Sequence, residues 1–166
     1  MVPQLHGNRR FHQNKKMRMA VLGLALSFAV AVAGDPANVL EQRVLEEVNR
    51  ERRSRGLKML QADSRISRLA REHSRNMAER RFFSHQDPVK GDVGERLKAG
   101  HLKWTACAEN IYRATGKSDP VRSAVRAWMN SQGHRENLLG RKYTRTGIGI
   151  DLRKGFVVTQ IFVGDD

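Results

Sequence analysis

The apolar residues of this chain change their spacing part-way along, and that switch limits the folds open to it. Up to Trp128 they recur every three or four positions; from Ile148 onward they alternate or run without a break. A period near 3.6 buries one face of a helix, and a period of two buries one face of a strand. Helices first and a strand pair last imply helices packed on a small sheet, an α+β domain.

The helix starts are readable as caps. Asp35-Pro36 supplies an N-cap and a first-turn proline; Leu40, Val44 and Val48 follow at four-residue spacing, and Gly56 offers a stop. A second helix starts at Asp63 and lines Ile66, Leu69, Ala70, His73 and Met77 on one face to about Arg80. His73 on such a stripe reads as a hydrogen-bonded core residue rather than a ligand. A short helix is predicted around Glu95–Ala99, stopped by Gly100, after a loop through "SHQDPVKGD". "TACAENIYRAT" reads as an extended piece or loop. Asp119-Pro120 repeats the cap and proline, with Val121, Ala124, Val125 and Trp128 as the buried face and a break at Gly133. Ile148, Ile150 and Leu152, a turn at "RKG", and "FVVTQIFV" form a hairpin with one strand fully buried.

Residues 1–33 stand apart from this pattern. Arg9, Arg10, Lys15, Lys16 and Arg18 precede an apolar run from Ala20 to Ala33, with no acidic residue among them. Fourteen residues in a helix reach ~21 Å, short of the ~30 Å hydrocarbon core. The run ends Ala31-Val32-Ala33, a small-x-small cleavage pattern, so 1–33 reads as a signal peptide. An uncleaved anchor is the alternative, and Met17 and Met19 are alternative starts to Met1. Residues 34–166 then form a single domain, secreted or periplasmic, with no stable membrane span in the mature chain.

Without the leader's five basic residues, 26 basic residues face 17 acidic ones, a net +9. Most are interleaved with glutamate, as in "EQRVLEEVNRERRSR", and read as solvated faces. The charge leaves polyanions open as partners, but there is no basic-aromatic module of the kind that reads bases, so nucleic acid is not expected. The one cysteine, Cys107, cannot close an internal disulfide; flanked by Ala106 and Ala108, it reads as a buried, inert thiol.

Standard catalytic signatures are missing. There is no H-E-x-x-H, no G-x-S-x-G and no phosphate-binding glycine loop. His134-Arg135-Glu136 fits H-x-E, but no later P-C-x-x-C completes a deaminase site. What remains is His85, Glu109 and His134, each at the end of an apolar segment. Two neutral imidazoles suit a divalent ion such as zinc, and a carboxylate serves as third ligand or orients a water. Spacing alone makes this a weak signal.

"FFSHQDP", "AENI", "AWMNSQGHRENLL" and "YTRTGIGI…VVTQIF" occur in the order and spacing of the CAP superfamily, which groups cysteine-rich secretory proteins, antigen 5 and plant pathogenesis-related proteins. The chain resembles its compact bacterial branch, the SCP-like extracellular proteins, from about Val39 to Val163. The resemblance implies a CAP-type α-β-α sandwich with a central antiparallel sheet, and a cleft gathering two histidines and two glutamates. His85, Glu109 and His134 match three of those positions, and the implied metal set is His85, His134 and Glu109. Ala108 replaces the glycine of the family's G-E-N motif. Ser131 stands where the second glutamate is expected, three residues after the helix tryptophan, so a mechanism using two carboxylates is not assumed.

Three readings follow. The leading one is a binding module whose cleft takes a weakly bound divalent metal such as zinc, or a lipid or cell-envelope component; family members are linked to lipid or sterol binding, metal binding and disputed proteolysis. The second is a metal-assisted peptidase or esterase with Glu109 as base. The third makes the trio structural, with His85 and His134 fixing loops. Asn110 and Asn137 are expected to brace loops, Ser131 to end a helix, and Tyr143 and Gln160 to support the cleft or sheet. Arg135 is expected in a surface salt bridge or against an anionic ligand.

Overall fold

A computed structural model describes Met1 and residues 35–165. The signal-peptide reading and the possible starts Met17 and Met19 lie outside the described residues. The elements are α1 (Pro36–Arg53), β1 (Gln61–Ala62), α2 (Ser64–Arg80), α3 (Val93–Ala99), β2 (Ala106–Ala114), α4 (Pro120–Asn130), α5 (Gln132–Leu139), β3 (Arg145–Asp151) and β4 (Phe156–Gly164). They form the expected α-β-α sandwich, but the sheet is mixed. Its order is β1-β3-β4-β2; β2 and β3 each pair antiparallel with β4, while β1 runs parallel to β3. With two residues, β1 is too short to show a hydrophobic period.

Strand β4 is central and buried along its whole length, and its alternation divides the core. Phe156, Val158 and Phe162 pack with Val44 and Val48 of α1, Val125 and Trp128 of α4, and Leu138 of α5. Ile161 and Val163 on the other face pack with Ile66, Leu69 and Ala70 of α2 and Leu97 of α3. Gly147 and Gly149 of β3 allow α2 to lie on the sheet. A Cβ at either would strike α2 backbone, at Ser67 and Arg71 respectively. Ser74 then donates to the Gly149 carbonyl at 2.8 Å.

The helix caps agree with the sequence. Asp35, Asp63 and Asp119 accept from first-turn N–H groups, and Asp92 and Glu95 form a reciprocal capping box on α3. Trp128 lies in the core and donates its indole N–H to the Ile111 carbonyl at 3.1 Å, tying α4 to β2.

The charged stretch of α1 is less solvated than its composition implies. Arg52 is 1% exposed. It donates to the carbonyls of Lys58, Leu138, Gly140 and Tyr143, satisfying the end of α5 and the chain beyond it. Glu41 is buried too, accepting from Arg71 and from the Ile150 N–H. A charge can be buried when its whole hydrogen-bonding capacity finds partners, and these partners come from distant parts of the chain.

Candidate functional site

The break between α4 and α5 comes two residues before the one expected. Ser131 is extended (φ −101°, ψ 124°) and ends α4 while starting α5, whereas Gly133 and His134 lie inside α5. Ser131 is therefore the helix-end residue anticipated for it. The second half of the hinge is Arg135, which donates to the Met129 carbonyl at 2.9 Å. Among the described residues Arg135 makes this contact in place of the surface salt bridge expected of it.

Three elements bring His85, Glu109 and His134 to one edge of the sheet. β2 is that edge strand, and Glu109 and Asn110 point to its opposite faces. On one face, Asn137 donates to the Glu109 carbonyl (3.3 Å) and to Asn110 Oδ1 (3.0 Å), while Asn110 donates to the His134 carbonyl (3.0 Å). These asparagines brace the loop-helix junction as expected, and they hold α5 against β2. On the other face, Glu109 turns toward α2, α3 and the α2–α3 loop that carries His85.

That loop is anchored below His85. The buried His73 of α2 donates Nε2–H to the Ser84 carbonyl at 3.0 Å, the core role read for it. Burial lowers the His73 pKa, outweighing the pull of Glu109, so the ring is neutral. Asp87 is 1% exposed and accepts from Asn76 (2.8 Å) and from the Val89 and Lys90 N–H groups (2.9 and 3.0 Å). Burial pushes the Asp87 carboxyl up, but these bonds outweigh it and bring its pKa down to about 2.

Glu109 has a 2% exposed side chain, and both its oxygens are engaged. Oε1 accepts from His85 Nδ1 at 2.9 Å, and Oε2 pairs with the guanidinium of Arg96. His73 Nε2 is 3.8 Å from Oε1. A carboxylate can only accept, so His85 Nδ1 carries a proton, and in the neutral ring the lone pair is on Nε2. The His85 side chain is 54% exposed. His134 faces it with ring centroids 6.3 Å apart and planes inclined at 43°. Burial, with a smaller contribution from His85, lowers the His134 pKa.

All three expected residues thus meet, but in different roles. The two imidazoles face one another, and Glu109 stands behind His85. Among the described residues, no cluster of three or more His, Cys, Asp or Glu side chains is arranged as a ready metal cage. The donor set still fits an ion held by two imidazoles, since one has a carboxylate on its other nitrogen and the other is kept neutral.

Arg96 is the site residue that sequence reasoning missed. In "GERLKAG" it looks like a solvated helix cation, yet it is 4% exposed, and its Nε and Nη1 have no partner among the described residues. Cys107 is half-buried, and burial raises its thiol pKa, consistent with an unreactive residue. Tyr143 and Gln160 are buried; Gln160 donates to Thr146 Oγ1 at 3.2 Å across β3 and β4.

The profile of the cysteine-rich secretory protein family, CAP, matches residues 45–163. The chain belongs to that family. It is 37% identical over 132 residues to the uncharacterized protein YkwD of Bacillus subtilis, covering 80% of this chain and 50% of YkwD. It also resembles the crystal structure of an extracellular protein containing an SCP domain from Bacillus anthracis (30% identity, TM-score 0.71, 78% of this chain and 41% of that one). A cysteine-rich secretory protein from Staphylococcus aureus follows at 25% identity and TM-score 0.63, covering 79% of this chain and 40% of that one. The chain thus spans half or less of the length of these relatives. No helix among the described residues is long and apolar enough to cross a membrane.

Proposed function

We propose that this CAP domain works outside the cytoplasm as a binding module, exported by the leader in residues 1–33, and that His85 and His134 together take a weakly bound divalent ion such as zinc. The supporting observation is the bond from His85 Nδ1–H to Glu109, itself backed by Arg96. A carboxylate behind a histidine sets its tautomer and orientation for metal binding through the other nitrogen. The lowered pKa of His134 keeps that ring neutral at pH 7, so a metal displaces no proton there. A lipid or cell-envelope component is the larger ligand such a cleft would receive.

The geometry favours binding over hydrolysis. A general base must reach the water it activates, but Glu109 is buried and holds two partners. The position of the family's second glutamate is the hinge residue Ser131, which offers no carboxylate.

Zinc titration calorimetry on the purified protein tests the proposal. One site is expected in the parent and none in a folded His85→Ala/His134→Ala variant. Glu109→Gln is expected to weaken binding ~10–100-fold. A folded parent that binds no zinc refutes the metal assignment. Peptide or ester turnover that disappears in Glu109→Gln would establish the hydrolase instead.

A further inference from the structure

A second concave site lies where the end of α2, the end of β2 and the β3–β4 turn meet. Its volume is about 370 Å³, within the ~300–1,000 Å³ of small-molecule pockets. Met77, Phe82, Phe83 and Phe156 contribute apolar lining, while Arg81, Arg113 and Lys154 also line it. None of His85, Arg96, Glu109 and His134 lines it. Arg113 is four residues along β2 from Glu109, ~13 Å at the rise of a strand.

None of these three cations has a carboxylate within 4.0 Å among the described residues. The nearby acids are already engaged: Arg153 pairs with both Glu79 and Asp151. Arg81 leaves α2 in the left-handed region at φ 58°, a position that glycine or asparagine normally fills. The Arg113 guanidinium lies over the Phe83 ring, 5.0 Å from its centroid, and is thereby held at the pocket wall. Phe83 remains 39% exposed.

We propose that this pocket binds a small aromatic carboxylate. Three phenyl rings and a stacked guanidinium offer flat surfaces to a planar ligand, and three cations without counter-charges favour an anionic end. At ~30 Å³ for each water-sized group, the volume holds about 12 such groups, the size of a one- or two-ring acid. A rigid ring system also loses less torsional freedom on binding than an acyl chain of that volume. The chain's own leader is a poor occupant, because its five basic residues and lack of acids match the sign of the pocket.

Titration of the full protein with 2-naphthoate, followed by ligand fluorescence, tests the proposal against two probes of similar bulk. 2-Naphthylmethanol has the rings without the charge, and dodecanoate has the charge without the rings. Naphthoate is expected to bind at least ~10-fold tighter than the alcohol. Arg113→Gln and Lys154→Gln, each checked for folding by circular dichroism, are each expected to lose ~10-fold. His85→Ala is expected to leave binding unchanged, which separates this pocket from the cleft. Equal binding of naphthoate and alcohol, tighter binding of dodecanoate, no binding of naphthoate, or unchanged affinity in both cation variants would each overturn it.

Discussion

Replacing Arg96 by methionine is the sharpest probe of how the cleft is held. The side chains of Arg96 and Glu109 are 4% and 2% exposed, so the Glu109 charge has little water to fall back on. Removing one partner of a buried pair costs ~3–5 kcal/mol, mainly from the charge left behind. His85 still donates to Oε1, which places the cost toward the lower end of that range. With an unfolding entropy of ~2.1 cal/mol/K per residue over about 130 residues, such a loss lowers Tm by roughly 11–18 °C. Glu109→Gln is expected to cost a similar amount by stranding the guanidinium. The double variant Arg96→Met/Glu109→Gln buries no net charge and should fall well short of the sum, because neutral replacement of a buried pair is often tolerated. Urea unfolding followed by circular dichroism measures all four corners of the cycle. An Arg96→Met loss below ~1 kcal/mol, or a double variant equal to the sum of the singles, refutes the coupling.

Other features give independent tests. Gly149→Ala places a methyl group against the Arg71 backbone and should destabilise by about 3 kcal/mol or more in urea, since α2 must lift from β3. Asp87, with its pKa down at about 2 from 3.8, supplies stability that is present above pH 4 and lost as pH falls through 2. Between pH 5 and pH 2 the parent is therefore expected to lose ~1–2 kcal/mol more than Asp87→Asn, compared by urea midpoints. Cys107, with its thiol pKa raised by burial, should react with iodoacetamide at pH 8 well below the rate of a small free thiol, and reach that rate in 8 M urea.

What could be read in advance depended on how far along the chain each cause reached. Asp119-Pro120 and the four-residue spacing to Trp128 set α4 locally, so its caps and buried face were legible. The alternation of Ile148 and Ile150 before the apolar run of β4 was legible for the same reason. Local reasoning misplaced the α4–α5 break because glycine is the usual stop signal. Gly133 has open space around its Cβ position and sits within a helix, while the extended backbone falls at Ser131. His85, Glu109 and His134 could be named individually, since each carries a motif, but their division of labour could not. Whether Glu109 binds an ion directly or orients His85 depends on what occupies its second oxygen. That partner is Arg96, a residue whose own neighbours in the sequence give no sign of burial. The same holds for Arg52, which reaches carbonyls up to 91 positions away. A buried cation is specified by acceptors scattered through the fold, so it stays hidden in a one-dimensional pattern until the layers are assembled. The site is thus spelled locally in its imidazoles and non-locally in the charge that stands behind them.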